Sequence, residues 1–299
     1  MLPSWTQRGW MLAAWLVGWP GLAWAFGAAG PGDGASGWAL LDGGSGWVWL
    51  IPAGVWAAAA GGVAAAAGNP VSGVWVGAWS ATLAAAGGGG VALTGVARRA
   101  ADAGRGETLY LRLAAEAGLW AAGVLAAVAT VAGVAAWARP RVPAWGRSRH
   151  LGAGVALLGF DRAGVVGGLV TAAAGALAGL LLLRSAEPMQ VAGGLALGFS
   201  GAALLGHAVS PSRRLGAFWL APMLTAVGGY AWGWWVTAGP GVAPPEGAGG
   251  DPLLAALYGG TLPGLAGALP VHYATAGLLG VAFGVGAGQL IEKAKRGGV

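Results

Sequence analysis

Cysteine is absent from the chain, which removes disulfides, thiolate metal sites and cysteine nucleophiles at once. Charge is nearly as scarce. Asp, Glu, Lys and Arg make up 9% of the 299 residues, where a soluble domain carries roughly 25% to keep its surface in water. So thin a polar supply cannot clothe a globule, but it suits a chain lying in lipid. Lysine occurs only at Lys293 and Lys295, in the tail, so no intramembrane amine is on hand for a retinal-type Schiff base. Isoleucine is equally rare, against abundant Ala, Gly and Arg. That bias reads as a GC-rich, prokaryotic coding genome, which fills apolar segments with Gly and Ala by default. Metal chemistry is thinly provided for. His207 and His272 have no third His or carboxylate at ligand spacing, so they fall short of a zinc site. The run Gly87 to Gly90 lacks the Lys-Ser/Thr ending of a phosphate loop. No cofactor is expected.

What the chain has in quantity is apolar length: 57% of it is hydrophobic. A bilayer core of about 30 Å needs roughly 20 apolar residues of helix. On that measure the sequence predicts an all-α polytopic transmembrane bundle, one integral membrane domain over residues 1–299, with about eight spans. They run Trp10–Ala28, Trp47–Gly68, Val74–Ala97, Ala117–Trp137, Ala163–Leu183, Val191–Ser210, Leu215–Gly239 and Val271–Leu290. Ala23-Trp24-Ala25 also fits a small-x-small cleavage site, so the first span can be read as a signal peptide, leaving seven. Arg98 to Glu116 is read as a polar connection, of which Thr108 to Glu116 can extend span four as a helix, with Arg112 and Glu116 paired at i,i+4. Leu151 to Phe160 is expected to be an interfacial or half-span piece. Leu253 to Leu269, broken by Gly259-Gly260 and Pro263, is expected to be short or re-entrant.

The formal net charge of +6 does not point to nucleic acid, because the basic residues fall in short clusters between apolar runs. There they set topology. With the N-terminus inside, eleven of the sixteen basic residues fall on the inner side, which favours both termini in the cytoplasm of a prokaryotic plasma membrane. The loop 98–116 disagrees, carrying four Arg on the outer side. Tryptophan is abundant at 18, and Trp47, Trp49, Trp75, Trp137, Trp232, Trp234 and Trp235 all sit near predicted span ends. Anchoring at the headgroup level explains them without a ligand. Small residues four apart recur at Gly73/Gly77, Gly164/Gly168, Gly175/Gly179 and Gly194/Gly198. The run Gly280, Gly284, Gly288 is the most regular and suggests a packing face, either internal or between copies in a homo-oligomer.

Ionisable groups within spans are the usual pointers to function, and no predicted span holds an acidic residue near its middle. Gly198-Phe199-Ser200-Gly201 with His272-Tyr273-Ala274-Thr275-Ala276-Gly277 resembles the rhomboid intramembrane proteases, which use a Ser in a G-x-S-G element and a His on a later Gly-rich helix. The resemblance implies Ser200 as nucleophile, His272 as base and His150 on the oxyanion side. It departs from the family at Gly154, where an Asn would stand, and in the basic loop before His150. The leading expectation is therefore a non-enzymatic membrane protein, a scaffold or assembly component, with no catalytic, cofactor-binding or metal-binding residues assigned. A small-solute transporter or channel built on Leu253–Leu269 is the second, and a rhomboid-like serine protease the third.

Overall fold

A computed structural model of the protein describes residues 56, 59–63, 70–87, 93–141, 156–184, 187–238, 252–258 and 260–295. These residues are all-α apart from one isolated bridge between Ala156 and Arg214. In chain order the helices are α1 (Pro70–Gly87), α2 (Leu93–Asp102), α3 (Leu109–Arg141), α4 (Arg162–Leu182), α5 (Pro188–Val209), α6 (Gly216–Ala238), α7 (Pro252–Tyr258) and α8 (Pro270–Lys295). A π-helical turn over Tyr273–Gly277 interrupts α8. Short 3-10 turns at Gly106–Thr108 and Gly264–Gly267 precede α3 and α8.

Among the described residues, four helices are long and apolar enough to cross a membrane: Gly106–Ala138, Arg162–Leu182, Pro188–Val209 and Pro270–Lys295. They mark a membrane-embedded protein. Spans five, six and seven match α4, α5 and α6 closely, because their ends carry strong local signals. Asp161 caps α4 by accepting from the Gly164 N–H at 2.6 Å. Glu187 caps α5 through Gln190 N–H at 2.8 Å, with Pro188 in the first turn. Span one and its signal-peptide reading lie outside the described residues, as does the loop 142–150. Of span two, residues 56 and 59–63 are described and helical, with Gly61 pressed against Val131 and Val134 of α3.

Two expectations are corrected, and one alternative is taken. Predicted span three does not run to Ala97 as one helix: α1 ends at Gly87 and α2 is a separate helix. α2 is amphipathic, burying Leu93, Val96, Ala97 and Ala100, so one face is apolar and the other carries Arg98 and Asp102. Span four takes the extension that the sequence offered: Leu109 to Glu116 joins the helix, and α3 reaches 33 residues. Ala156 to Phe160 is not a half-span helix but a turn bonded to the start of α6.

That turn organises one end of the bundle. Ala156 N–H donates to Arg213 O at 2.8 Å, Leu215 N–H returns to Ala156 O at 3.0 Å, and buried Trp219 Nε1–H donates to Leu157 O at 2.8 Å. Ser212 Oγ–H donates to Asp161 Oδ1 at 2.9 Å, tying the start of α4 to the α5–α6 connection. The Gly164 amide first, then Ser212 and the charge of Arg214, hold the Asp161 carboxyl below the usual carboxylate range. A depressed carboxyl pKa stabilises the fold above the unfolded value near ~3.9 and loses that contribution as pH falls through the folded one. Asp161→Ala should therefore lower the melting temperature at neutral pH and flatten its decline below about pH 4. Thermal denaturation of the detergent-solubilised protein across pH checks both.

Close backbone approach holds the helices together. A Cβ at Gly168 would meet Ala217 of α6 at 2.8 Å, and one at Gly175 would overlap the ring of Phe199 in α5. The run Gly280, Gly284, Gly288 faces α5 of the same chain, where side-chain carbons would strike Phe199 Cβ at 2.9 Å, Ala203 Cβ at 2.9 Å and His207 Cγ at 3.1 Å. Of the two uses the sequence left open for this run, the geometry shows internal packing. Gly118, Gly123, Gly133, Gly193 and Gly201 meet nothing within 4 Å and look outward. Exposed Trp137 near the end of α3, and Trp232 and Trp235 near the end of α6, are placed as interfacial anchors would be.

Candidate functional site: a buried polar centre at a broken segment

The segment from 260 to 269 returns into the bundle. Gly260, at φ +68°, supplies the left-handed turn after α7. Leu265 then wedges between α4 and α6, against Gly179 on one side and Gly229 on the other, where a Cβ would lie 2.8 Å from that of Leu265. At 1.5 Å per residue, Gly229 lies roughly 13 Å of helix inside the end of α6. Irregular backbone at such depth must have its polar groups satisfied by protein, and three side chains do so. Tyr230 Oη–H donates to Ala268 O at 2.7 Å. Tyr273 Oη–H donates to Leu265 O at 2.8 Å. Leu269 N–H donates to His272 Nδ1 at 3.2 Å. The short, broken element expected from the sequence takes this form.

The same residues belong to a larger cluster. Tyr110 of α3 stacks on Tyr230 with ring centroids 6.3 Å apart, Tyr273 meets Tyr230 edge-on at 6.3 Å, and Phe199 meets Tyr273 edge-on at 6.5 Å. Three of the chain's four tyrosines thus share one buried site. Two turns along α3 from Tyr110 stands Glu116, 1% exposed, its Oε1 accepting from Trp120 Nε1–H at 3.2 Å. Two donors in the centre have no hydrogen-bond partner among the described residues: Tyr110 Oη and His272 Nε2. Because Nδ1 accepts a bond, neutral His272 carries its proton on Nε2.

Helix irregularities converge beside the cluster. Pro222 breaks the hydrogen-bond ladder of α6, and Gly277, at the end of the π-turn, lets α8 close onto its ring, where a Cβ would meet Pro222 Cβ at 2.8 Å. Thr225 Oγ1–H donates across to Ala172 O of α4 at 3.0 Å. Single π-turns are a common feature of functional sites in helical proteins.

Removing one clamp has a defined cost. Tyr230→Phe leaves the buried Ala268 carbonyl without its donor and should destabilise the fold by about 1–3 kcal/mol, read as an earlier transition in an SDS-denaturation titration.

The protease-like pair is not assembled. Ser200 Oγ–H donates to Ala196 O at 2.6 Å, within its own helix. Its backbone faces Gly280 and Gly284, which lie roughly 10 Å or more along α8 from His272, and His272 Nδ1 is engaged by Leu269. His150 lies outside the described residues. His207 is buried, its Nε2 3.7 Å from Glu292 Oε2 at the far end of α8. Among the described residues no three His, Cys, Asp or Glu side chains gather to hold a metal.

Sequence reading missed Glu116 as a buried acid because it lay in a segment classed as a polar connection. The signal was present in the option of extending span four back to Thr108, which carries Glu116 into the bundle one turn before Trp120. In comparisons with protein-family models, with curated proteins and with solved structures, nothing matches the chain.

Proposed function

We propose that this membrane-embedded protein is a small-solute transporter, with its solute or coupling proton handled at the centre formed by Glu116, Tyr110, His272 and the re-entrant segment. The observation that carries the reading is the clamped, non-helical backbone around Leu265 to Leu269, joined to the tyrosine cluster that holds two unpartnered buried donors, with a buried carboxyl group, Glu116, on the same helix as Tyr110. Broken helices that line binding sites, with ionisable residues facing the bundle interior, are what ion-coupled transport uses. A scaffold has no need to bury a carboxyl group or to hold irregular backbone at this depth. The count of basic residues supports both termini in the cytoplasm of a prokaryotic plasma membrane, which would turn the re-entrant segment to the outer side.

The test is flux in proteoliposomes made with the full chain, using a counterflow panel of small solutes and a pH-sensitive dye inside the vesicles. Saturable solute or proton flux above that of empty liposomes supports transport. Vesicles as tight as empty ones under both gradients would overturn it and return the protein to the scaffold reading.

A further inference from the structure

The three side-chain bonds that clamp the broken segment differ in how they depend on protons. Tyr230 Oη–H on Ala268 O and Tyr273 Oη–H on Leu265 O both donate, and a phenol keeps its proton at any pH below ~10. The third bond runs the other way. His272 Nδ1 accepts from Leu269 N–H at 3.2 Å, while the His272 N–H returns to Leu269 O at 3.0 Å. Only an imidazole with a bare Nδ1 can accept there, because the protonated ring is a donor at both nitrogens. Since Nε2 already carries the proton of the neutral ring, an incoming proton has Nδ1 as its place to bind. There it meets the Leu269 N–H head-on, so a protonated ring and a closed clamp exclude each other.

The surroundings leave His272 as the group that can make this switch. It is 2% exposed, and its Nε2 has no hydrogen-bond partner among the described residues, so a cation formed there is poorly accommodated while the clamp stays shut. The elements packed against Pro270–His272 are α1, α3, α5 and the π-turn, with α6 behind Ala268. α1 has no ionisable residue, and α5 has only His207, which meets Gly288, roughly 24 Å along α8. Glu292, Lys293 and Lys295 lie farther still along α8. The π-turn contributes Tyr273 and α6 contributes Tyr230, while α3 brings Tyr110, Arg112 and Glu116 at this end. Of these, only Glu116 is a rival for a proton below pH ~7. What the clamp holds is the stretch that wedges Leu265 between α4 and α6.

We propose that His272 is a proton-binding gate residue: a proton taken up at Nδ1 breaks the Leu269 bond and frees the broken segment, and loss of that proton lets the bond re-form. The inference deepens the transport reading, on which it rests for its use, by naming the proton as the coupling ion. The clamp is favoured where an imidazole is neutral, above its ordinary value near ~6.5. Below that value the freed fraction grows by up to about tenfold per pH unit, the slope of a single proton.

The probe is a nitroxide spin label on Gly267→Cys, in the full chain reconstituted in nanodiscs. The chain has no native Cys, and a Cβ at Gly267 meets nothing within 4 Å. The spectrum of the label is followed from about pH 8 to about pH 4, a range that brackets imidazole titration. A mobile component should grow reversibly as pH falls, and should persist in Glu116→Gln and in His207→Asn. It should be lost in His272→Asn, whose Oδ1 replaces Nδ1 as an acceptor that does not titrate. Should His272→Asn fail to fold, NMR of isotope-labelled histidine in His150→Asn/His207→Asn, where His272 is the one histidine left, follows the same event. Its Nδ1 should be bare at about pH 8 and take up a proton with the midpoint of the spin label. A constant spectrum, a response that survives in His272→Asn or vanishes in Glu116→Gln, or a protonated Nδ1 at about pH 8 would overturn the proposal. The label reports the clamp whether or not a solute crosses, so tight vesicles count against the transport reading and a pH-blind label against the gate.

Discussion

Gly284→Leu should prevent stable packing of the bundle, whereas Gly201→Leu, at the same level but on the outward face of α5, should be tolerated. Where α8 crosses α5, a Cβ at Gly284 would press on the backbone of Ser200 and Leu204 and lie 2.9 Å from the Ala203 methyl. Backbone cannot step aside as a flexible side chain can, so the two helices must separate along the whole seam from Gly280 to Gly288. Lipid tails are as apolar as the side chains, so the seam is held by van der Waals contact and has no hydrophobic reserve to restore it. The cost should sit at or above the upper end of overpacking, about 3 kcal/mol. Gly201 lies on the exposed face of α5 with nothing within 4 Å of a Cβ, and leucine there gains up to about 1 kcal/mol of helix propensity. An SDS-unfolding titration of both variants decides the matter. Equal midpoints would mean that α5 and α8 do not meet through these glycines.

Glu116→Gln should abolish flux without weakening the fold. Gln is nearly isosteric, and its carbonyl oxygen can still accept from Trp120 Nε1–H, so stability should stay within about 1 kcal/mol of the parent. What is lost is the capacity to take up and release a proton or to balance a cation. A buried carboxyl group is costly to keep, and replacing buried charge with a neutral group of the same shape is often neutral or stabilising. Unchanged or raised stability together with lost flux in proteoliposomes is thus the signature of a group kept for function. Flux at the parental rate in Glu116→Gln would remove the carboxyl group from the mechanism.

How much of this was legible in the sequence depended on whether the signal was local. The ends of α4, α5 and α6 were readable because Asp161, Glu187-Pro188 and the polar residues before Leu215 break apolar runs at the places where the helices stop. The broken segment before α8 was readable because Gly and Pro interrupt a stretch too long for one span. The break between α1 and α2 was not, since glycine and alanine keep the hydropathy high through a point where the helix ends. Nor could glycine frequency separate Gly284 from Gly201: in a chain with 61 glycines, only the packed partner distinguishes a seam from an idle position. The tyrosine cluster escaped for the same reason. Tyr110, Tyr230 and Tyr273 are remote in sequence, and none looks unusual until the helices bring them together.

The position of α8 bears on how the protein is made. It is the most enclosed of the four candidate spans, 67% buried in its apolar window against 22% for the helix spanning Gly106–Ala138, and the last of the described helices to be synthesised. Its partners α1, α5 and α6 therefore reach the membrane before it, with the groove that will receive Gly280 to Gly288 still open to lipid acyl chains. Completing the domain then means that a late-arriving helix displaces those chains sideways. Interrupting translation before residue 270 would leave a membrane-inserted but unclosed intermediate, the kind of species that quality-control proteases recognise by its unsealed cleft.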